Sequence, residues 1–394
     1  MLQYFHLQNL PRAFYVILCA ILINSLGGFV IPFLALYLTG YRHFSLASTG
    51  LIAGSVGLGV FLSGPCGGFL ADHFGRRRVL VISMQLAAAL TLLFSQMTRE
   101  PFLMSIGFCL GFFTNLYGPA ASAAVADVVP EADLQRAFRL VYWVNNIGFA
   151  VAGSLAGFFA NKNFQILFFG DALTTLLFAF IVWKYLPESR PEPKENQAKK
   201  NVNPFKNKIF VSLFVLMLVA QILVLQATVA FPVDMANHGI SAIQYGLMAS
   251  LNGILIVVLQ PLLGTFLNFF SPFLALGIAA LLTGIGFAIN AFAGTLIFYV
   301  ITVVFWSIGE VFAGGSNSSI VAKIAPSSHQ GRYQGAMAMT YGSAAFLAPI
   351  IGSSIMQKFG APTLWIGCVG LSGAVAVCYF ILKNSLSESR EPKT

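Results

Sequence analysis

The apolar residues of this chain are gathered into long runs, and that arrangement limits the fold more than any motif does. Stretches of about 20 to 28 mostly apolar residues occur at roughly 14–38, 46–71, 79–97, 102–126, 136–160 and 165–186. Six more follow at roughly 208–233, 242–267, 273–292, 296–324, 330–357 and 363–382. Each run is long enough to cross a bilayer core, where backbone N–H and C=O groups must pair within the segment, so helices are the expected form. With 57% hydrophobic against 9% charged residues, the chain has too little polar surface to coat soluble domains. Its 37 glycines would weaken helices in water, but in lipid they are tolerated and let helices approach closely. The first run is too long for the apolar core of a signal peptide and no small-residue cleavage site follows it, so it reads as a retained helix. The expected fold class is therefore all-α and integral to the membrane, with twelve transmembrane helices.

The charged residues fall between the runs. A net charge of +9 would suit a nucleic-acid partner if the bases formed a stripe; they do not, so the implied partner surface is the lipid bilayer and no nucleic acid is expected. The one long polar stretch, 187–207, includes Glu188, Arg190, Glu192, Lys194, Glu195, Lys199, Lys200 and Lys206 and reads as a linker between residues 1–186 and 208–394, with six runs each. Placing both termini and this linker on the cytoplasmic side puts eighteen of the 22 Lys and Arg residues inside, leaving Arg42, Arg99, Lys162 and Lys358 outside. That bias is the expected signature of a protein in the cytoplasmic membrane with both ends inside. Cys19, Cys66, Cys109, Cys368 and Cys378 lie in or at the edge of apolar runs, without Cys-x-x-Cys spacing or histidine neighbours, so neither disulfide nor metal is expected. His6, His43, His73, His238 and His329 all lie at ends or in loops; no cofactor is implied, and an enzyme, which needs convergent groups, is not expected.

The two halves repeat at a constant offset of 196 residues. Pro65 and Gly68 match Pro261 and Gly264, Gly118 matches Gly314, Ala152 matches Ala348, and Pro130 with Arg136 matches Pro326 with Arg332. Two six-helix bundles in the same orientation describe a parallel repeat, the organisation of a rocking transporter whose substrate site lies between halves near the midplane.

After the second run comes Gly68-Phe69-Leu70-Ala71-Asp72-His73-Phe74-Gly75-Arg76-Arg77-Arg78-Val79-Leu80. Asp72 sits at a helix end where a short acid bonds nearby N–H groups or arginines, Gly75 permits a tight turn, and the arginines sit at headgroup level. The segment resembles the loop signature of the major facilitator superfamily, G-x-L-A-D-x-x-G-R-[KR]-x-x-L. The counterpart of Asp72 in the second half is Asn268, without the arginines. The loop Asp127-Val128-Val129-Pro130-Glu131-Ala132-Asp133-Leu134-Gln135-Arg136 also resembles a family segment in which an acid ends helix 4 and an arginine begins helix 5. The resemblance covers the whole chain and implies a fold of two pseudo-symmetric bundles working by alternating access. It further implies that Asp72 and Arg76 hold the halves together at the cytoplasmic face in the outward-open state, with Gly68, Gly75, Asp127 and Arg136 completing a conformational gate.

Size and loops are most similar to the twelve-helix drug:proton antiporters, especially bacterial multidrug exporters. Two positions depart from that group. Gly107 stands four residues before Gly111 where the group carries an arginine, and helix 5 reads Ala152-Gly153-Ser154-Leu155-Ala156-Gly157 without the group's proline, which appears instead as Pro349 in helix 11.

A carboxylate at the bilayer centre costs about 2.5 to 3.5 kcal/mol on insertion scales, so a buried acid needs a reason. Glu310 lies about 14 residues into the tenth run with no Lys or Arg in the same helix at that depth, which makes it the candidate proton-coupling site. Its 196-offset counterpart is Thr114. Asn24, Thr114, Asn115, Tyr117, Asn145, Asn146, Gln221, Gln226, Asn252 and Asn317 sit at cavity depth, and with Trp306, Tyr142 and Tyr341 they describe an aromatic, sparsely charged substrate cavity. Asp171 and Asp234 fall near the outer ends of helices 6 and 7 and are less informative; Asp127 and Arg139 suit a structural pair or gate.

The leading expectation is a monomeric, proton-coupled exporter of small hydrophobic or cationic molecules, with small-molecule substrate and protons as partners. The alternative is a proton symporter or facilitator for metabolite uptake, or a transporter of lipid-like substrates.

Overall fold

The computed structural model describes residues 10–188, 203–267, 269–314, 316–326 and 329–388; most of the linker and Asn268 lie outside them. Among the described residues, twelve helices are long and apolar enough to cross a membrane. They are α1 (Arg12–Tyr41), α2 (Leu46–Phe74), α3 (Arg76–Gln96), α4 (Glu100–Val128), α5 (Arg136–Lys162), α6 (Phe164–Tyr185), α7 (Lys208–Asn237), α8 (Ala242–Leu263), α9 (Pro272–Asn290), α10 (Leu296–Ile324), α11 (Arg332–Phe359) and α12 (Ala361–Lys383). Their ends follow capping chemistry. Ser45 accepts from Ser48 N at the start of α2, Asn163 from Gln165 N at α6, Asn207 from Ile209 N and Phe210 N at α7, and Ser271 from Leu274 N at α9.

The apolar runs predict α1 and α7 as unbroken, yet both are interrupted. In α1 the helix ends at Leu26 and restarts at Val30, across Gly27 and Gly28. The freed N–H groups of Phe29 and Val30 both donate to Asp171 Oδ2 on α6, at 3.1 and 3.0 Å, so the break costs no orphaned donor there. In α7, Lys208–Val224 gives way to a 3₁₀ turn at Leu225–Thr228 before Ala230–Asn237. Leu225 is the 196-offset counterpart of Phe29, so the interruption belongs to the repeat although its stabilising acid does not.

Packing divides the molecule along its long axis. One buried core joins both halves and includes Phe33 and Tyr37 of α1, Ile52 of α2, Phe231 of α7, Met248 of α8 and Trp365 of α12. Two further cores stay within single halves. Phe14, Leu80, Met84, Val125 and Phe178 build one; Phe210, Leu276, Tyr333 and Tyr379 build the other. The shared core lies away from the start of α1 and the end of α12, and the separate cores lie toward them. The halves therefore close on the face opposite the termini and part on the termini face.

Two seams make that closure, and both depend on missing side chains. At the first, α2 meets α11: a Cβ on Gly57 would overlap the backbone of Ala345, and one on Gly50 would overlap Ser353. Ala47 N also donates to Gln357 Oε1 at 2.6 Å. At the second, α5 meets α8 where Gly246 lies against Gly153 and Gly157, and Gly253 against Ala150. Ser250 Oγ bonds both Ala150 O and Ser154 Oγ. Gly246 and Gly253 stand 196 residues after Gly50 and Gly57, so one sequence device closes both seams. Toward the termini face, Gly64 and Gly68 of α2 and Gly335 of α11 meet nothing within 4 Å, and Phe69 is exposed.

Gly57→Leu is expected to force α2 and α11 apart. Spin labels at Ser45→Cys and Lys358→Cys should report a longer distance in that variant, whereas Gly68→Leu, which points into open space, should leave the distance unchanged.

Candidate functional site around Glu310

The seams leave a cavity of about 470 Å³ between the halves. Its walls include Ile31 of α1, Tyr142 and Asn146 of α5, Tyr245 and Asn252 of α8, Trp306 and Glu310 of α10, and Tyr341 of α11. Glu310 is held from α8: Asn252 Nδ2 donates to its Oε2 at 2.8 Å and to Ser307 Oγ at 2.9 Å, so one amide orients the acid and ties α8 to α10. Trp306, one turn before Glu310, has its indole N–H buried without an acceptor at hydrogen-bonding geometry.

A second lobe, about 230 Å³, lies on the side of the first half and is lined by Thr114, Asn115 and Tyr117 of α4 together with Tyr341. Asn115 Nδ2 donates to Ser63 Oγ at 2.7 Å, Thr114 Oγ1 to Leu110 O at 2.6 Å, and the Tyr117 ring packs edge-on against Phe178. Asn146 donates to Tyr142 O at 2.9 Å. Asn317 lines a third lobe that begins at Glu310, and its Oδ1 is buried without a donor. Glu310 is the one carboxyl among the residues lining the three lobes, and no Lys, Arg or His stands among them.

Three residues expected at the cavity are used elsewhere. Asn24 Oδ1 accepts from Thr175 Oγ1 at 3.2 Å, joining α1 to α6, and Asn145 Oδ1 accepts from Ser25 Oγ at 2.8 Å, joining α5 to α1. Gln226 is 2% exposed and donates to Ala348 O of α11 at 3.3 Å and to Ile222 O at 3.1 Å. An amide at cavity depth has as much use for a neighbouring helix as for a ligand, and depth alone does not separate the two.

The other intramembrane acids have fixed partners. Asp171 caps the break in α1. Asp234, placed from sequence near the outer end of helix 7, is 1% exposed; it accepts from Tyr299 OH at 3.0 Å and Trp365 Nε1 at 3.1 Å, with His238 Nδ1 3.7 Å away. It ties α7, α10 and α12 together on the closed face. These partners are 65 and 131 residues away along the chain, and nothing in local spacing announces them.

At the termini face Arg76, 5% exposed, pairs through NH1 with Asp72 Oδ1 at 2.8 Å and through Nε with Asp127 Oδ2 at 2.9 Å, and NH1 also donates to Ala71 O at 2.7 Å. Gly75 makes the α2–α3 turn at φ +97°, a backbone setting that favours glycine. Glu188, just beyond α6, accepts from Arg77 N at 3.1 Å and Arg78 N at 3.3 Å and so satisfies the opening turn of α3, a role the sequence did not suggest. Arg136 pairs with Asp133 at 3.7 Å. None of these contacts reaches the second half, in keeping with halves that part at this face.

Twelve membrane-length helices, closed around a cavity at one face and open at the other, define a polytopic transporter architecture. The family model of the Major Facilitator Superfamily matches residues 16–233 and 209–394, and the chain belongs to that superfamily. It is an integral membrane transporter. Among its relatives, it is 26% identical over 403 residues to a Na(+), Li(+), K(+)/H(+) antiporter of Planococcus maritimus, covering 91% of this chain and 93% of that one. It is 27% identical over 158 residues to the quinolone resistance protein NorA of Staphylococcus aureus, covering 39% of this chain and 40% of NorA. A point mutant of the nucleoside transporter NupG superposes with a TM-score of 0.82 at 17% identity, over 94% of this chain and 99% of NupG, a likeness of fold.

Asp171→Ala should lower the apparent stability of the purified protein by about 1–3 kcal/mol, because the Val30 N–H loses its acceptor and the Phe29 N–H keeps only Gly27 O. Asp171→Asn, which keeps a carbonyl oxygen, should lose less. Thermal unfolding in one detergent, with substrate transport measured alongside, checks both.

Proposed function

We propose that the protein exports small hydrophobic or cationic organic molecules from the cytoplasm in exchange for protons. The observation that carries this reading is the wall chemistry: a single carboxyl, no Lys, Arg or His, and a surround that includes Trp306, Tyr142 and Tyr341. A lone carboxylate in a low-dielectric cavity attracts one positive charge, and aromatic faces hold an organic cation without oxygen ligands. Phosphates and polyanions want converging arginines, so these walls do not suit them. The name of NorA supports a drug-like substrate, and the names of both relatives are compatible with export.

The bias of Lys and Arg toward the termini and linker supports placing the open face at the cytoplasm. The conformer described is then inward-facing, ready to load substrate. An ionised Glu310 binds the cation; a proton on Glu310 removes the attraction and releases it, so proton and cation compete for one group as the halves rock. When the termini face closes, the loop bearing Gly68, Asp72, Gly75 and Arg76, with Asp127 and Arg136 behind it, meets the second half and acts as the gate.

Competition fixes a sign. Affinity for a permanent monocation should fall as pH falls, by up to about tenfold per pH unit once Glu310 is largely protonated. Glu310→Gln should fold, bind with no such pH dependence and lose transport against a gradient in proteoliposomes. Uphill transport retained by this variant would reject the coupling role.

A further inference from the structure

The third lobe, about 250 Å³, leaves the central cavity at Glu310 and runs into the second half between α7, α9, α10 and α12. Tyr142, Gln221, Val224 and Glu310 line both spaces and so form its mouth. Its walls are built from small residues, Ala220, Ala279, Ala280, Gly309 and Ala313, and its depth is set by Met217, Leu276 and Tyr379, which belong to the buried core of the second half. Among the described residues, Tyr142 is the only one from the first half that lines the lobe. A rocking motion therefore reshapes the central cavity, which both halves build, but carries this lobe along almost intact.

We infer that this lobe is a subsite for one slim apolar arm of an organic cation whose charged nitrogen sits at Glu310. The inference rests on the proposed cation site and specifies what that site prefers. The lobe has about half the volume of the aromatic space between the halves, so a slim chain suits the lobe and a broad ring suits the larger space. An arm in the lobe buries methylenes against carbon, and each one buried is worth about fourfold in affinity. Asn317 Oδ1, buried at the lobe without a donor, offers an acceptor to an arm that carries an N–H or O–H. Because the lobe belongs to one half, an arm held there does not obstruct the closure of the termini face.

Benzyldimethylalkylammonium ions with alkyl chains from ethyl to dodecyl test the idea against purified full-length protein by equilibrium dialysis. Wild-type affinity should climb about fourfold per methylene and level off once the lobe is full. Ala220→Leu and Ala313→Leu each narrow the lobe without touching the central cavity. They should weaken binding of long-chain members by roughly ten- to a hundredfold while leaving the ethyl member unchanged. Comparing variant with wild type cancels partition of the probes into detergent. Folded variants with the wild-type chain-length dependence would overturn the subsite. So would binding whose pH dependence Glu310→Gln removes but that ignores chain length, a result that leaves the cation site standing. Failure of every member to bind would overturn both. Should either leucine variant unfold, Ala280→Cys supplies the same answer: long-chain members must slow its modification by a small thiol reagent relative to the native cysteines, and equal protection by the ethyl member would count against the subsite.

Discussion

The fold depends on backbone meeting backbone at two glycine-lined seams. In lipid there is no hydrophobic drive to press helices together, so association rests on close van der Waals contact, which small residues make available. Gly50 and Gly57 bring α2 onto α11, and their repeats Gly246 and Gly253 bring α8 onto α5. These seams lie on one face only. Closing there places the shared core, and the same geometry holds the halves apart at the other face and leaves the cavity between them. The helix 5 stretch from Ala152 to Gly157 shows the economy of the arrangement. It lacks a proline, but Gly153 and Gly157 are the very surface on which α8 rests.

Against this frame the charges sort into two kinds. Asp171 has its helix break, Asp234 its tyrosine and tryptophan, and Arg76 its two aspartates; each is satisfied by partners that hold helices in place. Glu310 differs because its hydrogen-bond partner Asn252 is neutral and the acid lines the cavity. An acid without a cationic partner among the described residues, set in a space that opens to one face, is free to exchange what neutralises it. Competition between a proton and an organic cation follows from that freedom, and the adjoining lobe adds a means of choosing among cations by shape.

Much of this was legible along the chain. Twelve runs marked twelve helices, with ends that the structure moves by a few residues, because hydropathy responds to bilayer thickness and each span satisfies its own backbone. The loop from Gly68 to Leu80 carried its turn, its ion pair and its family resemblance in consecutive residues. Glu310 stood out because an isolated acid in an apolar run is rare enough to need a reason. Asn252, Asn146 and Tyr341 were found at the cavity for the same reason of depth, while Asn24, Asn145 and Gln226, equal in depth, turned to neighbouring helices.

What residue order determines here is whatever a single helix or a short loop decides: spans, turns, the sidedness of charge and the periodic placement of glycines. What only the tertiary structure decided is pairing across distance. The choice of Asp171 to cap α1, of Glu188 to cap α3, of Asn252 to orient Glu310, and the opening of a lobe beside it, all depend on which faces of separate helices meet. A helix leaves its side chains to settle their partners sideways, and in a bilayer the sideways choice belongs to packing, which no one segment contains.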